Sequence, residues 1–226
     1  MCSHYQGVKE QARFEKQFNT QLPLNAGVHD VWPTYAALFI RRPAEADVGD
    51  KAVPDREALA GQFGLVPHWA KDEKFGRRTF NARSETAATL PSFRDAWRKG
   101  HRCIIPAEAI YEPDWRSGRA VPTRITRADG EPMGIAGLWS WWRSAAGIEL
   151  HSFTMLTINA TEHGLMRNFH KPTDEKRMVV ILPSGAYTDW LQAPSAQSMD
   201  FMRAYPTDAL VASVPAVTIS RISPSR

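Results

Sequence analysis

The sequence predicts an α+β domain dominated by sheet, with helices packed outside it. Three observations carry this expectation. Proline and turn signals cut the chain into short apolar runs of strand length. Helical spacing is confined to a few brief stretches. A chain of 226 residues, 43% of them hydrophobic, can bury a substantial core as one domain.

The strand-like runs, in order, are Tyr35 to Arg41, Gly61 to Val66, Cys103 to Tyr111, Val121 to Thr126, Met133 to Trp142, Ser152 to Asn159, Met178 to Leu182 and Leu210 to Val214. Helices are expected at "SFRDAWRKG", with Ser92 as N-cap and Gly100 beyond the end, at "ATEHGLMRNFH", and at "SGAYTDWLQAP", which runs into a proline stop. "GLWSWWRS" alternates in and out of a strand, so its tryptophans belong to core and sheet-face packing. "RPAEADVGDKAVPDRE" (42–57) reads as a surface loop and "ISRISPSR" (219–226) as a tail, and neither marks a domain boundary within 1–226.

Net charge is +4 and the pI is near 9.2, a mild excess that is unevenly spread. "KFGRRTFNARSE" and "FRDAWRKGHRC" gather Lys74, Arg77, Arg78, Arg83, Arg94, Arg98, Lys99 and Arg102 in a short stretch with few acids. Such clustering fits either solvated faces or a polyanion partner. No apolar run reaches the roughly 18 residues of a membrane span, and the opening segment lacks the order of a secretory signal. The expected location is the cytoplasm, associated with the nucleoid, with no membrane partner. Two cysteines make no disulfide framework and suit a reducing compartment; Cys103, in "RCIIPA", reads as a small buried strand residue.

Cys2 is different. Methionine removal is favoured when the next side chain is small, and it would leave Cys2 as the first residue. That end carries an α-amine with a reference pKa of about 7.7–8.0 beside a thiol of about 8.5. A 1,2-aminothiol condenses with an aldehyde to an imine, which the thiol closes to a five-membered thiazolidine. Abasic deoxyribose opens part of the time to such an aldehyde, and a basic surface would bring the strand to it. Other classes fit the same terminus. An N-terminal-nucleophile glutaminase uses a terminal cysteine with its amine as base. Cys-Ser-His can hold Cu(II) or Ni(II) in a square plane. A plain single-strand binding module needs only charge and stacking. Neither a cofactor nor a resident metal is called for by any stronger motif.

The initial "MC", "VWPTY", "GLVPHWA" followed by "FNARSETA", "RCIIPAEAIYEP", "LTINATEHGL" leading to "FHK", and "RMVVILP" together resemble the SOS-response-associated peptidase (SRAP) family of abasic-site-processing proteins. The resemblance implies a β-rich mixed sheet of open-barrel form around a basic channel for single-stranded DNA, and covalent capture of abasic sites through a thiazolidine at Cys2. By position, Glu112 and His170 match catalytic residues, and Asn81 and Arg83 match pocket residues that orient the sugar or amine and grip phosphate. Thr157 and Trp69 fall where the family contacts the DNA backbone and wedges against bases. This chain departs from the family in having Ser3 and His4 where Gly-Arg is usual, so that His4 stands in for a phosphate-gripping guanidinium. "KPTDEK" also separates His170 from "RMVVIL", with His163 the nearest alternative histidine. "Peptidase" implies self-release or Met1 removal; no Ser-His-Asp order or zinc signature accompanies it.

Overall fold

The computed structural model describes residues 2–46 and 53–214, and the predicted tail at 219–226 and part of the 42–57 loop lie outside the described residues. The architecture is a β-rich α+β fold. Its centre is a ring of five strands: β3 (Ala36–Arg41), β4 (Glu57–Phe63), β6 (Arg102–Asp114), β8 (Met133–Arg143) and β9 (Glu149–Asn159). Their pairing order is β8-β9-β4-β3-β6, and β6 returns to β8, so the expected open barrel is in fact closed. Phe39, Phe63, Ile104, Ile105, Leu138, Phe153 and Met155, on its two faces, are buried in the hydrophobic core.

Strand β6 ties the barrel to the rest. Its first half pairs with β8, from Arg102↔Leu138 to Ala107↔Met133. Its second half pairs with β7 (Val121–Arg127), from Ile110↔Ile125 to Asp114↔Val121, and its other edge holds β1 (His4–Gly7) with His4 opposite Tyr111. The changeover follows Pro106, which has no N–H to offer a ladder. The apolar stretch "RCIIPAEAI" is buried along nearly its whole length because elements cover both faces. Beyond β1 lies the short β2 (Asp30–Val31), and β12 (Leu210–Ser213) extends the ribbon beyond β7.

Two parallel contacts bring β5 (Asn81–Arg83) to the barrel wall. β4 meets β9 at Phe63↔Phe153, the chain loops out through a 3₁₀ turn at Glu73–Arg78, and β5 then lies along β9 with Asn81↔Met155 and Arg83↔Thr157. The loop is tightly stapled. Gly64 adopts φ +122°, and a Cβ there would stand 2.1 Å from the Gly76 carbonyl oxygen, so only glycine permits this crossing. Gln62 Nε2 donates to Glu73 O at 2.9 Å and Thr79 Oγ1 to Leu65 O at 2.6 Å.

Several sequence expectations need correction. The "ATEHGLMRNFH" stretch holds only a 3₁₀ turn, Met166–Asn168. His163 Nδ1 accepts the N–H groups of Leu165 (3.2 Å) and Met166 (3.0 Å), replacing the helical partners they would otherwise need. Met178 to Leu182 divides into β10 (Arg177–Val179), which pairs with β9, and β11 (Ile181–Leu182), which pairs with β8. Gly61 to Val66 is only the end of β4, which begins at Glu57. Helix α3 (Arg94–Arg98) has no side-chain cap, so Ser92 does not act as one, whereas Gly100 takes the expected left-handed turn at φ +70°. Helix α1 (Gln11–Phe18) is an addition to the expected elements; Phe14 and Phe18, one turn apart, bury its inner face, and Asn19 ends it at φ 49°. Helix α4 (Tyr187–Gln192) lies within the expected "SGAYTDWLQAP".

Candidate functional site

Four of the expected residues converge where β1, β5, β6 and the 160–176 segment meet. Cys2, just before β1, is 1% exposed, and its Sγ lies 3.4 Å from His4 O. Asn81, at the start of β5, donates from Nδ2 to Cys2 O at 2.7 Å. Its Oδ1 is buried without a partner among the described residues, leaving an acceptor beside the Cys2 backbone. Glu112 is 2% exposed near the end of β6, close enough to Cys2 for its charge to oppose a thiolate.

His170 completes the group. Its N–H donates to Pro113 O at 2.9 Å, the neighbouring Phe169 bridges Asp114, and a left-handed φ of 64° turns the chain there. His170 Nδ1 thereby stands 3.4 Å from Glu112 Oε2, within ion-pair reach although the hydrogen bond is not formed. His163, the alternative in sequence, spends Nε2 on Tyr205 O at 2.7 Å and Nδ1 on its own turn.

Burial sets the protonation states. It lifts the Glu112 carboxyl from an ordinary 4.5 to about 7. It lowers the His170 imidazole from 6.5 to about 4, so the ring is neutral near pH 7. The carbonyl of Arg177, 3.2 Å from Nε2, can only accept, which puts the ring proton on Nε2 and a lone pair on Nδ1. A protonated Glu112 can offer its O–H to that lone pair. The Cys2 thiol is pushed up strongly, first by burial and then by the Glu112 charge, and so rests as a thiol.

The remaining expected residues are placed less uniformly. Arg83 is half exposed on β5, and its Nη1 is held 2.6 Å from Glu175 Oε2. Trp69 is 47% exposed, edge-on to Phe75, and lines a hollow with Lys71, Lys74 and Arg78. Thr157 is 1% exposed; its hydroxyl donates to Ala82 O at 3.4 Å and accepts from Arg177 Nη2 at 3.2 Å. A backbone-touching role does not suit that burial, and Thr157 instead steadies Arg177. His4 is sandwiched between Trp32 and Tyr111, with ring centroids 4.2 Å away on each side, and Nε2 is 3.3 Å from Asp30.

Arg177 is a buried strut of the candidate site that the sequence does not single out. Its buried guanidinium holds Glu85 through Nη1 at 2.9 Å and Nη2 at 2.8 Å, Glu175 at 2.8 Å and Thr157 O at 2.7 Å. It fastens the 170–177 turn to β9 and the start of α2 (Ser84–Ala87), and so fixes His170. No local motif marks it, because its partners come from three separate elements.

A buried cysteine at position 2, its carbonyl held by an amide and with a titratable carboxyl and a neutral imidazole at hand, is thus set on a closed five-strand barrel. The family model described as SOS response associated peptidase (SRAP) matches residues 1–219, and the chain belongs to that family. YoqW of Bacillus subtilis strain 168, named an abasic site processing protein, is 35% identical over 159 residues, covering 66% of this chain and 69% of YoqW. HMCES of Gallus gallus, named likewise, is 24% identical over 223 residues, 88% of this chain and 63% of that protein. A crystal structure of a Bordetella bronchiseptica protein, 53% identical, matches with a TM-score of 0.86 over 96% of this chain and 100% of that one.

Proposed function

We propose that this protein captures abasic sites in single-stranded DNA as a covalent thiazolidine on Cys2 after removal of Met1, shielding the lesion. The observation that carries the reading is the set of three buried side chains around Cys2: Asn81 holding its carbonyl, and Glu112 and His170 poised 3.4 Å apart. The names of the relatives point to the same substrate.

The chemistry follows from the protonation states. The Cys2 amine adds to C1′ of the ring-opened sugar, forming a C–N bond, and Glu112 gives its proton to the hydroxyl that leaves as water. The imine carbon then accepts sulfur. Because burial keeps Cys2 as a thiol, closure needs a base, and the carboxylate left on Glu112 takes that proton as sulfur bonds to the iminium carbon, whose nitrogen keeps the one hydrogen remaining from the amine. Glu112 thus ends as it began. His170, neutral and 3.4 Å from Glu112 Oε2, orients the Glu112 carboxyl for these transfers. The same groups run backwards would release the adduct, and an imine left unclosed is open to β-elimination, a lyase outcome.

The test is incubation with single-stranded abasic DNA, followed by a denaturing gel and intact mass. The expected result is a heat-stable shifted band with abasic but not intact DNA, from protein lacking Met1. Met1 retained on the active protein would overturn the reading.

A further inference from the structure

At the opposite end of β6 from Glu112 lies a second basic site. Glu112 lies ten positions beyond Arg102 along this strand, which at about 3.3 Å per residue is about 33 Å. There a cavity of about 550 Å³ is lined by Arg41, Arg98, Lys99, His101, Arg102 and Trp139, among others.

Among the described residues, Arg98, Lys99 and Arg102 of its cations are under-compensated. Arg41 is matched by Glu57 at 2.7 Å. Arg98 and Lys99 share the one carboxylate of Asp95, at 3.0 and 2.9 Å. Arg102 is 1% exposed and has no carboxylate partner. Its guanidinium donates to Ser198 Oγ through Nε and Nη2 and to Trp97 O through Nη1, three bonds for five N–H groups. The rings of Trp97 and Trp190, 4.8 and 5.3 Å away, offer it only quadrupoles. A buried guanidinium without a counter-charge is costly, and burial accordingly lowers its pKa to about 10. His101, lowered to about 4 by burial and then by Lys99, adds no charge near neutrality.

The cavity also adjoins the proposed DNA face. The hollow of Trp69, Lys71, Lys74 and Arg78, which also holds Asp72, shares Trp69 with a second hollow lined by His68, Arg94, Arg98 and Asp95, so that cations outnumber acids in both. That hollow shares Arg98 and Ser195 with the Arg102 cavity. The basic hollows therefore run from the loop that delivers Asn81 to the far end of β6. Repeated cationic steps along one track suit a chain of phosphates better than a single small anion.

We propose that the Arg102 cavity is a second phosphate site, which holds the backbone of a single-stranded nucleic acid beyond the segment at Cys2. The occupant class rests on the single-strand reading above; the site itself does not depend on the Cys2 chemistry.

The test is binding of intact strands, without an abasic residue, to wild type and to the Arg98→Gln/Lys99→Gln double variant across a salt series. Both side chains are more than half exposed, so the fold is preserved. With a strand of about 16 nucleotides the variant should lose about 1.4 from the salt slope, two contacts at about 0.7 each. Crosslinking to an abasic strand of about 4 nucleotides should be unchanged, because so short a strand does not reach. An unchanged slope on the long strand would overturn the proposal. So would competition by inorganic phosphate or a nucleoside triphosphate at equal phosphate concentration as effective as by the strand, which would assign the cavity to a small anion. Failure of the short abasic strand to crosslink in wild type would instead count against the Cys2 reading, and the salt slope on the long strand would still decide for or against this cavity.

Discussion

Glu175 Oε2 closes on Arg83 Nη1 at 2.6 Å, so the carboxylate already occupies the guanidinium expected to meet a phosphate. Both groups are partly exposed, and such a pair is worth only about 0–1 kcal/mol. A phosphate can displace it at small cost. Glu175→Gln should raise affinity for a single strand by up to about fivefold and steepen the salt slope by about 0.7, while Arg83→Ala should do the reverse. Arg177 would still be held by Glu85 and Thr157. Anisotropy titrations at several salt concentrations read both numbers, and a weaker Glu175→Gln would show the carboxylate to be a needed strut.

Asn81 separates positioning from binding. Its Nδ2 bond to Cys2 O fixes the residue proposed to carry both the amine and the thiol. Losing one such bond costs about 0.5–1.5 kcal/mol, so Asn81→Ala should slow crosslinking up to about tenfold with the salt slope of binding intact. A parallel loss of rate and slope would place Asn81 on the phosphates.

How much of this is legible in the sequence follows from where each signal resides. Cys2 stands out because a cysteine directly behind the initiator methionine carries its meaning locally, whereas Glu112 is marked only through the resemblance that "RCIIPAEAIYEP" bears to the family; β6 itself forms where its apolar run predicts. The Arg83–Glu175 pair has no such signal. It joins residues 92 apart, and it exists only because β5 and β10 both lie along β9. Thr157 reads as available to DNA, but β9 is covered on both faces along this stretch and its hydroxyl turns inward. The helix expected after Asn159 does not form because a single side chain, His163, takes the amide hydrogens of the turn. Helix α1 signals itself only through Phe14 and Phe18, in a run too short and too polar to stand out.

The buried pair should show in stability against pH. Glu112 binds its proton more tightly folded (about 7) than unfolded (4.5), so its contribution is complete below 4.5 and is lost as pH rises through 7, a change of about 3 kcal/mol. His170 acts in the other direction: its contribution is present above 6.5 and is lost as pH falls through about 4. Glu112→Gln removes the first effect only. The melting temperature of this variant relative to wild type should therefore rise by several degrees between about pH 5 and about pH 8. A difference that stays level with pH would mean that Glu112 titrates near its ordinary value.

Rate against pH, with Cys2 and Glu112 varied in turn, tests the chemistry itself. Crosslinking needs a free amine, with a reference pKa of about 7.7–8.0, together with a protonated Glu112, whose pKa is about 7. The product of the two fractions rises below about 7, levels between about 7 and 8, and falls above. Glu112→Gln cannot donate that proton in any state, so its rate should be lower throughout and should lack the alkaline fall, while strand affinity survives. His170→Ala should slow the reaction in the same direction, since the proton on Glu112 loses the Nδ1 lone pair beside it. Cys2→Ala keeps a terminal amine once Met1 is removed but has no sulfur to close the ring. Its imine should be trappable with borohydride, should leave no lasting crosslink, and should nick abasic DNA slowly by β-elimination. A time course of crosslinked and nicked products for the wild type and these variants decides the matter. A stable, heat-resistant crosslink in Cys2→Ala would remove sulfur from the mechanism and transfer the covalent role to a lysine.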